Sequence, residues 1–250
     1  MTTTLGKTMA PVLSVESVTA GYGSQPIIFD VSFQAETGTV TTVIGPNGAG
    51  KSTLFKSLFG VARLFDGTIK VKGQPIEHST EALVRSGVAY VPQIQNVFPS
   101  LTVNENLEIG TFVRGKGDFE RVFGLFPDLR PVRRMQARKL SGGQRNMLAV
   151  GRALMSSPDV LLLDEATGGL SPLLARRLWE HVVELAQQGV AVVAIEQNVR
   201  LALEHSGYVY VLAGGRNHLN GTPAELLARP DFAQLFLEAS EEPAGGAGAV

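Results

Sequence analysis

Residues 45–53 read GPNGAGKST, which matches G-x-x-x-x-G-K-[ST]. No other stretch constrains the fold as strongly, because this pattern has meaning only between a strand and a helix. TVTTVI, immediately upstream, reads as that strand, and a helix is predicted to follow. Glycines allow the backbone to curl until successive N–H groups point inward, making a nest for phosphate oxygens. The N-terminus of the following helix adds partial positive charge. Lys51 then supplies a mobile ammonium for β- and γ-phosphates, and the Ser52 hydroxyl is a ligand for Mg²⁺. Gly45, Pro46, Asn47, Gly48, Ala49, Gly50, Lys51, Ser52 and Thr53 are thus the expected phosphate cradle.

Two further strands end in polar residues. VLLLDE, residues 160–165, is a buried strand closing on two carboxylates. Asp164 is placed to hold the water shell of Mg²⁺, and Glu165 to orient and deprotonate an attacking water. VAVVAIEQN, residues 190–198, is a second short apolar run after the loop signal QQG. Glu196, Gln197 and Asn198 are expected to emerge at its end, where open α/β sheets place their ligands. LSGGQ, residues 140–144, precedes a helical pattern with Met147, Leu148, Gly151, Leu154 and Met155 on one face. Ser141, Gly142 and Gly143 at a helix N-terminus make a second anion site.

Around these motifs the chain changes character. Its first third is rich in strand signals: IIFDVSFQAE alternates, with Val31, Phe33 and Ala35 on one face, and GTIKVKGQPI reads as a hairpin. From about residue 102 to 156 the pattern is helical, and Thr102 with Glu105 forms a capping-box signature. Strand–helix alternation resumes after Pro158, so a parallel-sheet core is interrupted by a helical insertion. The expected organisation is a flexible N-terminus (1–11), a nucleotide-binding core with a β subdomain (12–93 and 157–238), a helical signature subdomain (94–156) and a disordered tail (239–250).

The charge balance, 22 Lys and Arg against 23 Asp and Glu, offers no basic excess and argues against nucleic acid as partner. Without cysteine the chain has neither disulfides nor thiolate zinc sites, which suits a reducing compartment. No apolar stretch approaches the roughly 20 residues of a membrane helix, and MTTTLGKTMAPVL lacks the apolar core of a secretory signal.

The motifs in this order resemble the ATP-binding cassette (ABC) ATPases of membrane transporters, over roughly residues 12 to 235 of the 250. The resemblance implies ATP and Mg²⁺ as ligands, with the α/β phosphate-loop core, antiparallel β subdomain and helical insertion of those ATPases. It makes Tyr22 in TAGYGS the aromatic that stacks on adenine, and Gln93 in YVPQ the glutamine that reaches the metal and the attacking water. Ser141, Gly142, Gly143 and Gln144 would meet a nucleotide held by a second cassette, and GGLSP (168–172) would touch the opposite subunit. YVPQIQNVFPSLTVNENLEIG, LSGGQRNMLAVGRALM and AIEQNVRLALE are similar to the smaller ATPase of branched-chain amino acid importers, and to urea and amide importers. The implied partners are transmembrane permease subunits, a second cassette or a second copy, and indirectly a periplasmic solute-binding protein. The implied place is the cytoplasmic face of the membrane.

Two positions depart from the family's pattern. Ala166 stands where the similar importers usually have proline, which lifts a restriction on the backbone of Glu165; other members of the wider family carry alanine there. Gln197 stands where most members have a histidine that touches the γ-phosphate, although the similar importers commonly carry this glutamine. An exporter ATPase shares all these motifs. DNA-repair and chromosome-organising relatives would need a long coiled-coil or zinc-binding insertion, and translation factors a second cassette in the chain.

Overall fold

The computed structural model describes residues 10–94, 96–112 and 117–232. The N-terminal segment expected to be flexible therefore lies outside the described residues except for its last two positions, and the expected tail 239–250 lies wholly outside. Along the described chain run β1 (Leu13–Tyr22), β2 (Gln25–Ala35), β3 (Val40–Ile44), α1 (Lys51–Leu58), β4 (Arg63–Val71), β5 (Gln74–Pro75), α2 (Thr80–Arg85) and β6 (Val88–Val91). Then follow α3 (Val103–Ile109), α4 (Phe119–Leu125), α5 (Gly142–Leu154), β7 (Val160–Asp164), α6 (Pro172–Gln187), β8 (Ala191–Ile195), α7 (Val199–His205), β9 (Tyr208–Ala213), β10 (Arg216–Gly221) and α8 (Pro223–Leu227).

The strands form two sheets. One has the order β10-β9-β3-β8-β7-β6; its neighbours from β9 to β6 are parallel, and β10 is added antiparallel at the edge. In β3, β7 and β8 every residue is buried, as parallel strands covered on both faces require. Alternation persists inside these apolar runs. Leu161, Leu163, Val192 and Ala194 join one core with α3, α4, α5 and α6, whereas Leu162, Ala191, Val193 and Ile195 join the other with α1 and the second sheet.

The second sheet is antiparallel, with order β2-β1-β4-β5. Val31, Phe33 and Ala35 face its core and Asp30, Ser32 and Gln34 face out, as the alternation predicts. Val71 pairs with Gln74 and Lys70 with Pro75, closing the predicted hairpin. β1 itself carried no clean pattern, and the reason is visible. Its pairing with β2 and β4 shifts register between Val15 and Ala20, where Ser17 takes φ 49°, and a bulge of that kind breaks a two-residue period.

The segment between Thr102 and Met155 is less continuously helical than its sequence suggests. Among its described residues, three α-helices alternate with 3₁₀ turns at Pro127–Leu129 and Ala137–Lys139 and with open backbone. The capping box is present as read, with Glu105 N–H donating to Thr102 Oγ1 and Thr102 N–H to Glu105 Oε2. Asn106, fully buried, staples the preceding loop: its Oδ1 accepts from Phe98 N–H at 2.8 Å, and its Nδ2 donates to Phe98, Leu101 and Thr102 carbonyls.

Truncating Asn106 strands several of these backbone groups. Asn106→Ala should lower stability by about 2–3 kcal/mol, a fall in Tm of roughly 2–4 °C per kcal/mol for a chain of this size. Denaturant and thermal unfolding would measure it, and a loss under about 0.5 kcal/mol would mean that water replaces the amide.

Candidate active site

Parallel pairing aligns the C-terminal ends of three neighbouring strands. Val43 of β3 sits opposite Ile195 of β8, and Asp164 of β7 opposite the same residue. The residues that follow each strand therefore leave the sheet side by side: the glycine-rich loop, Glu165, and Glu196 with Gln197.

The loop has the backbone that its glycines permit. Gly48 and Gly50 take φ of 80° and 96°, left-handed values that a side chain would strain. At Gly45 a Cβ would come 2.1 Å from the Leu212 carbonyl oxygen. Gly50 caps α1 without a side-chain hydrogen bond, leaving the first N–H groups of the helix for an anion. Residues 47–53, with Ile27 and Glu165, line a cleft of about 280 Å³. Pro46 and Gly45 lie at its base in sequence, and both give their carbonyls to Lys51, whose Nζ donates to them at 3.1 and 2.8 Å. Lys51 is buried, which lowers its pKa; the carboxylates of Glu165 and Asp164 act in the opposite sense.

Asp164 is 3% exposed. Its Oδ2 accepts from the Tyr90 hydroxyl at 3.0 Å, while its Oδ1 is buried with no hydrogen-bond partner. Burial raises its pKa, Tyr90 lowers it, and Glu165 adds repulsion that Lys56 and Lys51 oppose. Tyr90, on β6, is fixed from behind by ring contacts with Phe55 and Phe59, and burial lifts its phenol well above the usual range. Glu165 takes φ 49°, a left-handed conformation rare for a non-glycine residue. The side chain of Gln93, from the loop after β6, donates through Nε2 to Glu165 Oε2.

Other expected residues stand apart from this cleft. Tyr22 ends β1, about half exposed, and is not among the residues lining the phosphate-loop cleft. Ser141, Gly142, Gly143 and Gln144 do not line it either. They open α5 as a capping box: Gln144 N–H donates to Ser141 Oγ at 3.2 Å, and Ser141 N–H to Gln144 Oε1 at 3.1 Å. Gly143 lies against Leu174 of α6, where a Cβ would meet Cδ1 at 3.1 Å. Gln197 is exposed and shares a second cleft, of about 430 Å³, with Glu165, Thr167, Gly168 and Glu196. Ser171, in the 168–172 loop, caps α6.

The strand end departs from its expected course at one residue. Glu196, Gln197 and Asn198 do not all emerge: Glu196 is 4% exposed, because its N–H donates to Val43 of β3 and its carboxylate turns inward to the Thr167 hydroxyl. Burial pushes its pKa up to about 7; the Thr167 hydrogen bond opposes this and Glu165 reinforces it. A charged residue directly after an apolar strand gives no sign of which way it turns. Asn146 likewise carries no signal in the sequence, although its amide reaches Ala166 and Asn96.

A raised carboxyl pKa has a definite sign in stability. From about pH 4.5 to 7 the unfolded chain has lost the Glu196 proton while the folded chain keeps it, so this group's contribution is full below that window and falls as pH rises through it. Melting curves should therefore show wild type losing stability relative to Glu196→Gln across this window. Parallel pH profiles for the two proteins would show that Glu196 titrates normally.

Known proteins match most of the chain. Residues 28–168 match the ABC transporter family. The branched-chain amino acid transport ATP-binding protein BraG of Pseudomonas aeruginosa is 38% identical over 90% of this chain and 99% of its own length. The probable branched-chain amino acid transport ATP-binding protein LivF of Archaeoglobus fulgidus is 39% identical over 90% and 98%. An exporter component, the Nod factor export ATP-binding protein I of Ralstonia nicotianae, is 35% identical over 87% of this chain and 69% of its own. A crystal structure of an ABC transporter's ATP-binding cassette in its ADP conformation superposes with a TM-score of 0.80 at 26% identity, over 92% of this chain and 99% of the other. The chain belongs to the ABC transporter family, as one of its ATP-binding and ATP-hydrolysing cassettes.

Proposed function

We propose that this cassette energises a membrane importer, with branched-chain amino acids or related small solutes as cargo. The catalytic part of the reading rests on one observation: Gln93 holds the carboxylate of Glu165, and Glu165 lines the same cleft as the phosphate loop. The importer part is supported by relatives that match this chain over 98–99% of their own length.

In this reading residues 45–53 hold the nucleotide phosphates and Tyr22 stacks on adenine. Lys51 would exchange its two loop carbonyls for β- and γ-phosphate oxygens. Magnesium fits the residues present, since Asp164 keeps one buried carboxylate oxygen without a partner and the half-buried Ser52 hydroxyl opens α1. Asp164, Ser52 and Gln93 would hold it; among the described residues no cluster of three acidic, histidine or cysteine side chains could hold a metal alone, so phosphate oxygens and water would complete the shell. When bound it neutralises phosphate charge. Glu165 takes a proton from the attacking water, Gln93 keeps that carboxylate oriented, and Gln197 donates its amide to a γ-phosphate oxygen.

A second cassette, identical or different, would bring Ser141, Gly142 and Gly143 to this nucleotide. Permease subunits would carry the solute path and receive it from a periplasmic binding protein. No helix among the described residues is long and apolar enough to cross a membrane, in keeping with a peripheral place on the cytoplasmic face. Nucleic acid has no part in this reading.

Glu165→Gln keeps the shape of the base but removes its basicity, so hydrolysis should fall by about 10²–10⁴-fold while ATP still binds. Stalled hydrolysis should accumulate a closed dimer, with itself or with the second cassette, and adding Ser141→Arg should abolish it. Light scattering of the ATP-bound variant reads this directly; a monomer with and without the partner cassette would defeat the two-site arrangement. For the cargo, cells lacking this chain should lose uptake of labelled leucine, isoleucine or valine, and Glu165→Gln should not restore it. Unimpaired uptake together with a lost efflux activity would identify an exporter instead.

A further inference from the structure

The turn that presents Glu165 is held by side chains from two other elements. Its backbone is held by Glu165 N–H donating to Ile195 of β8 at 3.1 Å, and by Gly168 N–H donating back to Glu165 at 2.9 Å. Those two bonds leave the carbonyl of Ala166 to be satisfied. Asn146 Nδ2, reaching from α5, donates to it at 2.6 Å. Asn146 Oδ1 accepts in turn from Asn96 Nδ2 at 3.0 Å. This assignment is self-consistent, because a carbonyl only accepts: the amide nitrogen of Asn146 must face Ala166, which leaves its oxygen for an Asn96 donor.

We propose that Asn146 is a positioning residue for Glu165, its amide tying the turn that carries Glu165 to the segment that carries Gln93. The inference rests on the role read above for Glu165 as the base. Two features make a tie necessary at this place. Glu165 sits in a left-handed conformation that is strained for a non-glycine residue and persists only where its surroundings hold it. Gln93, whose amide holds the Glu165 carboxylate, is itself exposed and lies on open loop. Asn96 is three residues from Gln93, so the pair Asn96–Asn146 anchors that loop to a helix while Gln93 reaches the carboxylate. Glu165 is thereby gripped twice, at its carboxylate by Gln93 and at its backbone through Asn146.

The helix chosen for this anchor is α5, which Ser141 caps five positions upstream. Those five residues span about 7.5 Å of rigid helix. A displacement of the Ser141–Gly142–Gly143 end against β7 must drag or break the bond to Ala166. Asparagine has the reach for both contacts, and aspartate, of equal size, would set oxygen against the Ala166 carbonyl.

The test uses the full chain. Asn146→Ala and Asn146→Asp should lower kcat by roughly 10–100-fold, the scale of a misplaced catalytic group, with KM for ATP near wild type and a fall in Tm too small to unfold the protein at the assay temperature. Asn96→Ala should lower kcat less, and combined with Asn146→Ala should add nothing further, since both remove one network. Hydrogen exchange read peptide by peptide should rise in Asn146→Ala both around Gln93 and around Glu165. An unchanged kcat with unchanged exchange at both places overturns the proposal, as does a fall in kcat that only tracks lost folded protein. Wild type that hydrolyses no ATP even with its partner subunits would remove the reading of Glu165 as base, while exchange would still decide whether Asn146 holds the turn.

Discussion

The register of β3, β7 and β8 is the constraint on which the whole site depends. These strands are short, five residues each, and wholly buried. Because both faces are covered, a slip of one residue would move every side chain to the opposite core, exchanging Leu161 and Leu163 for Leu162. The same slip would part the phosphate loop from Glu165; the two share a cleft because Val43, Ile195 and Asp164 are level across the sheet. Packing far below the site therefore sets the geometry at its top. α1 on one face and α6 on the other lock the register, and the antiparallel sheet encloses α1 from outside.

Burial shapes the chemistry at that level. Lys51, Asp164 and Glu196 are the charged side chains withdrawn from water there, and burial opposes the charged form of each. The responses differ with the partners available. Lys51 and Asp164 lie close enough to favour each other's charge, and Tyr90 adds a hydrogen bond to Asp164. Glu196 has no cation beside it among the described residues: burial, reinforced by Glu165 and only partly opposed by the Thr167 hydroxyl, pushes its pKa up to about 7.

Sequence reasoning found what depends on local pattern. Glycines at left-handed positions, the apolar strands, the capping box at Thr102, the helix start at Ser141 and the hairpin at Val71 all carry signals within a few residues of themselves. It missed what depends on distant partners. β1 is hidden by its own register shifts, and β10 (RNHLNG) is a polar edge strand whose identity comes from pairing with β9. The inward turn of Glu196 is decided by Thr167, twenty-nine positions away, and the bond of Asn146 to Ala166 spans twenty. Neither spacing has a period that could be read.

The signature segment shows how one structural device can serve two purposes. Ser141 and Gln144 already satisfy each other across the first turn of α5, so neither is idle in the isolated chain. A hydroxyl has one donor and two acceptor sites. With Ser141 Oγ accepting from Gln144 N–H, its own O–H remains free to donate to a phosphate oxygen. Gln144 is different: its carbonyl oxygen is committed to Ser141 N–H, and only its amide N–H groups remain for a nucleotide. Under the proposed two-cassette arrangement the cap therefore need not open for Ser141 to bind phosphate. It would instead hold Ser141, Gly142 and Gly143 in place before the second nucleotide arrives, so that little ordering cost falls on closure.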